Sequence, residues 1–135
     1  MISIVRDKDG NIKTFSALAL EDYNKSLGET IELLNTTMQE YSRRFMLSID
    51  GVTGQTYSIG MSEFDLTVIV STNLDLVSAD VDINGVTEII PLTEGKGHII
   101  LSTYNPGTFI ITPADRKSFC AAGNGLLVVE VQPNE

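Results

Sequence analysis

At 135 residues, with 42 % apolar side chains and a formal net charge of −9, the chain is too apolar to stay disordered and long enough to bury one core without metal or disulfide support. The charge is uneven: residues 1–44 carry six Lys/Arg against seven Asp/Glu (net −1), and residues 45–135 carry three (Lys96, Arg116, Lys117) against eleven (net −8). A C-terminal part of this sign repels phosphate backbones and anionic lipid, which argues against nucleic acid and membrane surfaces as partners.

The chain opens with Met1-Ile-Ser-Ile-Val-Arg-Asp-Lys. No basic segment leads into an apolar core and a small-residue cleavage site, so cytoplasmic synthesis without a signal peptide is expected. Residues 2–5 and 12–15 read as two short strands flanking Asp9-Gly10, a strong two-residue turn signal. A lone hairpin is barely stable in water, so this N-terminal hairpin or arm must dock on something.

A long helix is expected from Ala17 to Arg44. Ser16 suits its N-cap, Phe15 and Leu20 fit a hydrophobic staple, and Arg43 and Arg44 lie near its negative end. Two rows step by seven: Leu20, Leu27, Leu34, Tyr41 and Asn24, Ile31, Met38, Phe45. They form a seam of coiled-coil type, which predicts a homo-oligomer through the helix or packing on the chain's own β body.

From Phe45 the rhythm changes to short β-rich runs broken by Gly, Asn and Pro. Candidate strands are 45–50, 55–61, 64–71, 78–84, 86–92, 97–104, 107–113, 117–121 and 125–132. Asn84-Gly85, Glu94-Gly-Lys-Gly97, Asn105-Pro-Gly107 and Asn124-Gly125 punctuate them as turns. Leu126-Leu-Val-Val-Glu-Val131 is too apolar for an edge and is expected inside a sheet. The expected fold class is α+β: residues 1–44 a hairpin and long helix, residues 45–135 an antiparallel β-sandwich.

Chemistry is sparse. The single histidine, His98, sits in a strand with no orienting partner in sequence, and Cys120 reads as a small buried filler. One His and one Cys cannot build a zinc site. Asp7-Lys-Asp-Gly-Asn11 alternates oxygens like a calcium loop, but lacks the later bidentate Glu and is more simply a turn. Asp75, Asp80 and Asp82 form a second acidic group, which reads first as a solvated sheet face. Gly95 and Gly97 bracket a lysine in a turn rather than at a strand-to-helix junction, so they make no phosphate loop. No catalytic residue, cofactor or metal is assigned.

One resemblance is visible. Val81-Asp-Ile-Asn-Gly85 leads through a second strand to Glu94-Gly-Lys-Gly97, then a further strand, then Pro106-Gly-Thr-Phe109 entering a late strand. This order of turns over residues 64–132 resembles bacterial immunoglobulin-like domains. The resemblance implies a sandwich of the kind found on cell surfaces and in phage virions, and it carries over no functional residue. The expectation is a non-enzymatic structural or assembly protein, such as a phage tail or decoration component, with protein partners. The alternative is a ligand- or carbohydrate-binding module using Tyr57, Tyr104 or Phe109 for stacking.

Overall fold

The computed structural model describes residues 1–17, 28–53 and 56–133. Twelve strands follow in chain order: β1 (Ile2–Arg6), β2 (Ile12–Ser16), β3 (Thr30–Leu34), β4 (Met46–Ile49), β5 (Val52–Thr53), β6 (Thr56–Gly60), β7 (Leu66–Ser71), β8 (Ser78–Ile83), β9 (Val86–Pro91), β10 (Lys96–Leu101), β11 (Gly107–Pro113) and β12 (Leu127–Gln132). A short helix, α1 (Met38–Ser42), lies between β3 and β4, and a 3-10 turn spans Gly123–Gly125. They form three sheets, in the orders β2-β1-β3, β10-β7-β4-β5 and β6-β12-β11-β8-β9.

The long helix of residues 17–44 is not formed. The structure is 53 % strand and 7 % helix, and no helix among the described residues reaches seven residues. The fold is therefore mostly β rather than α+β. Leu20, Asn24 and Leu27 of the two heptad rows lie outside the described residues. Of the remaining members, Ile31 and Leu34 fall in a strand, Met38 and Tyr41 in a short helix, and Phe45 in the bend that follows it. Gly28 takes φ +77°, outside the helical region. Thr30–Leu34 then pairs antiparallel with β1, placing Ile31 opposite Val5 and Leu33 opposite Ser3. Thr37 starts a fresh helix by accepting a hydrogen bond from the Glu40 N–H (3.1 Å). The ladder to β1 supplies hydrogen bonds over a distance that no local period reports, and a seven-residue step fits a strand and a broken helix by coincidence.

The second and third sheets face each other across the main core. Leu47 and Ile49 of β4, Val68 and Val70 of β7, and Ile99 and Leu101 of β10 meet Val81 of β8, Ile111 of β11 and Leu127, Val129 and Val131 of β12, all buried. In β4, β7, β8, β10 and β12 these positions alternate with less buried ones, the period-2 pattern of strands with one face inward. β12 lies inside its sheet, between β11 and β6. The sandwich is not wholly antiparallel, because β6 pairs parallel with β12. Asp50 (φ 51°) and Gly51 (φ 79°) end β4 in a tight turn, so the 45–50 run is followed by β5 and the chain crosses to the opposite sheet before β6.

The expected strand at 117–121 is absent. The Asp115 carboxylate instead accepts from the Lys117 and Ser118 N–H groups (3.2 Å each), and the Phe119 N–H donates to the Asp115 carbonyl (3.0 Å). A local side-chain bond has displaced the ladder. This loop carries Cys120 into a second, smaller core with Ile2, Ile4, Ile12 and Tyr41, flanked by Phe15 and Leu34. There the first sheet meets α1. Phe15 stands edge-on to Tyr41 (centroids 4.8 Å apart). The Ile12 N–H donates to the Arg116 carbonyl (2.7 Å), and Arg6 donates to the Lys117 carbonyl (2.6 Å). The hairpin β1–β2 thus docks on the 114–122 loop.

Candidate binding surfaces

His98 points outward from β10 opposite Ile69, in a row with exposed Lys96 and Ile100. Cys120 is a buried free thiol. Burial pushes it above its ordinary value, against an opposing hydrogen bond at Ala122. A thiol held protonated in an apolar cluster is a weak nucleophile. Tyr41 beside it is also pushed up, first by burial and then by Cys120, with Arg44 acting the other way.

The Asp7 carboxylate is used within its own turn: one oxygen accepts from the Asp9 (2.9 Å) and Asn11 (3.0 Å) N–H groups. A cleft beside it is lined by Lys13 and Arg116 together with Asp7 and Asn11, and those cations oppose calcium there. Asp80 and Asp82 share the outer face of β8, opposite Ile89 and Thr87 of β9. The Asp82 carboxylate accepts from the Gly85 N–H (2.6 Å) and so serves the β8–β9 turn. Asp75 lies in the preceding loop. Among the described residues, no three His, Cys, Asp or Glu side chains gather as a cation would need.

The three aromatic candidates separate. Tyr57 and Phe109 pack against the main core. Tyr104 is 66 % exposed, and Phe64 is 80 % exposed. Both stand at one end of the sandwich, on the β10–β11 and β6–β7 loops. Thr103, buried, ties these loops together: its hydroxyl donates to the Phe64 carbonyl (2.8 Å), and its own carbonyl accepts from the Ser62 N–H (2.9 Å). Ser62 Oγ accepts from the Phe64 N–H (3.0 Å). Between the loops lies an open cleft of about 330 Å³ lined by Met61, Ser62, Glu63, Tyr104 and Asn105. Sequence reasoning missed Phe64 by placing it at the start of a strand. The available signal was Ser62-Glu-Phe-Asp65, a polar break around one aromatic.

The outer faces of the sandwich differ in charge. The strands of the β10-β7-β4-β5 sheet hold Lys96 and His98 and no acid. The β6-β12-β11-β8-β9 sheet turns Asp80, Asp82 and Glu130 outward and its strands hold no base, while Glu88 lies on the core-side register of β9, opposite Val81. Each face also exposes isoleucine: Ile100 on the first, Ile89 and Ile110 on the second. No helix among the described residues is long and apolar enough to cross a membrane. Compared with models of known protein families, with curated proteins and with solved structures, the chain shows no match.

Proposed function

We propose that the protein is a non-enzymatic structural subunit that works by contact with other protein, including further copies of itself, in an assembly such as a phage virion. We also propose that residues 45–135, which include the stretch 64–132 that carries the resemblance, form an immunoglobulin-like module. The strand order supports that kinship: β4, β7 and β10 occupy the places of strands A, B and E, β8, β11 and β12 those of C, F and G, and β9 that of C′. The chain departs from antibody domains in having no tryptophan and a single cysteine.

The observation that carries the assembly reading is the pairing of opposite charge sign with exposed isoleucine on the two outer faces. Strand positions facing water are usually polar, and isoleucine there is most useful when covered. Faces of opposite sign fit each other rather than themselves, so the contact is head to tail, which closes into rings or runs on as a filament.

Light scattering after size exclusion, at low and high salt, tests it. Association that grows with concentration, weakens in salt and is lost in Ile110→Asp is expected. A strict monomer at every concentration overturns the reading.

A further inference from the structure

We propose that the cleft between the β6–β7 and β10–β11 loops binds a neutral saccharide, laid with one sugar ring against Tyr104.

Aromatic side chains carry more apolar area than any others and ordinarily bury it. Here two of them, Phe64 and Tyr104, stand in water on neighbouring loops at one end of the sandwich. The two loops are cross-linked through Ser62, Phe64 and Thr103. Thr103 is 1 % exposed, with its hydroxyl on the Phe64 carbonyl and within 3.3 Å of the Ser62 carbonyl. The Met61 N–H donates to the Gln132 carbonyl (3.1 Å), which fastens the first loop to the end of β12. The two loops are therefore one braced unit that holds its shape before any ligand arrives, and a braced site loses less ordering entropy on binding.

The lining chemistry selects the ligand class. Tyr104 offers a flat apolar face with a hydroxyl at its tip. Glu63 and Asn105 offer planar carboxylate and amide groups, which pair with two neighbouring hydroxyls at once, and the amide both donates and accepts. A sugar ring has the matching form, an apolar C–H face and a rim of hydroxyls. Among the described residues no basic side chain lines the cleft, and Glu63 repels anions, so phosphorylated or acidic sugars are disfavoured. At about 330 Å³ the cleft lies at the small end of ligand sites, enough to hold one or two sugar rings at an open surface. The site is present in a monomer and in an assembled copy alike, so it stands apart from the assembly reading.

The test is an amide NMR titration of the full chain with millimolar methyl glucoside, methyl galactoside and di-N-acetylchitobiose. Glucose 6-phosphate and tetramethylammonium chloride are run in parallel. At least one neutral sugar is expected to shift amides of residues 61–65 and 102–106, with the phosphorylated sugar weaker. Tyr104→Ala should weaken binding about tenfold, the scale of one lost ring contact. Its melting temperature should not change, because the ring is exposed. Phe64→Ala provides a second variant with an exposed side chain. The proposal is overturned if no neutral sugar moves either loop, or if the shifts survive both substitutions. It is equally overturned if glucose 6-phosphate binds as well as methyl glucoside, or if tetramethylammonium is the preferred ligand and the rings are a cation cage.

Discussion

Tyr41 and Cys120 share the smaller core, and both are held protonated by burial. The Tyr41 hydroxyl has no hydrogen-bond partner among the described residues, and a buried unpaired hydroxyl is destabilising. Tyr41→Phe removes it without changing the ring's shape or its contact with Phe15. The expected result in urea unfolding at neutral pH is a stability equal to or up to about 1 kcal/mol above the parent. The sign of the pH dependence follows from the raised values. The unfolded chain releases these protons near the ordinary 9.0 and 10.0, whereas the folded chain keeps them to higher pH. Unfolding therefore releases protons in alkali, and stability, full below about pH 9, declines as pH rises through 9 and 10. Equilibrium unfolding across that range should show the decline, and Tyr41→Phe combined with Cys120→Ala should flatten it.

At the scale of elements, two joints set the geometry of the sandwich. The β8–β9 turn places Asn84 (φ 52°) and Gly85 (φ 85°) in the left-handed region, as a type I′ turn requires. Asn84 has a second role. Its side-chain amide donates to the Thr108 carbonyl (3.1 Å), and its oxygen accepts from the Ile110 N–H (2.7 Å), clamping the turn to β11. Asn84→Gly keeps the turn and removes the clamp, so it should cost about 1–2 kcal/mol in denaturant unfolding, the scale of two partly exposed hydrogen bonds. Asn84→Ala should cost more, because it loses the favourable positive φ as well. The other joint is the approach of β10 to the end of β9. A Cβ at Gly97 would lie 2.6 Å from the Pro91 carbonyl oxygen and 2.7 Å from Ile90 Cγ2. Gly97→Ala must push backbone, and a loss of about 1–3 kcal/mol is expected by the same measurement.

At the scale of the molecule, charge is the dominant surface property. A net −9 on 135 residues repels itself, and screening relieves the repulsion. Because Asp80 and Asp82 sit on an open sheet face with no third ligand among the described residues, calcium should act only as a screening ion. Melting temperatures in calcium chloride and in sodium chloride of matched ionic strength are expected to coincide. A rise specific to calcium that vanishes in Asp80→Asn would show a site there. The uneven distribution also has a structural consequence. Asp80, Asp82 and Glu130 lie on one outer face and Lys96 on the other, so strand charge is unequal across the thickness of the sandwich.

How much of this was legible beforehand depends on the range of the interactions. Runs such as Leu66–Ser71 and Val86–Pro91 read as strands because alternation and turn residues are local signals, and Asn84-Gly85 reads as a hairpin turn because its two left-handed positions need those residue types. The sequence alone also determined the acidity of residues 45–135 and the absence of a second cysteine. The tertiary structure decided the rest. Thr30–Leu34 is a strand because β1 offers it a ladder, although Ile31, Leu34, Tyr41 and Phe45 fit a helical period equally well. β4 and β5 stay together in one sheet through the Asp50-Gly51 turn, whereas β6 belongs to the opposite sheet, parallel beside β12 from the far end of the sequence. The loop cleft exists because Thr103 bonds across to residues 62 and 64, and the opposed face charges exist because strands distant in sequence were sorted into two sheets. Partners separated by tens of residues leave no periodic trace, so only folding brings them together.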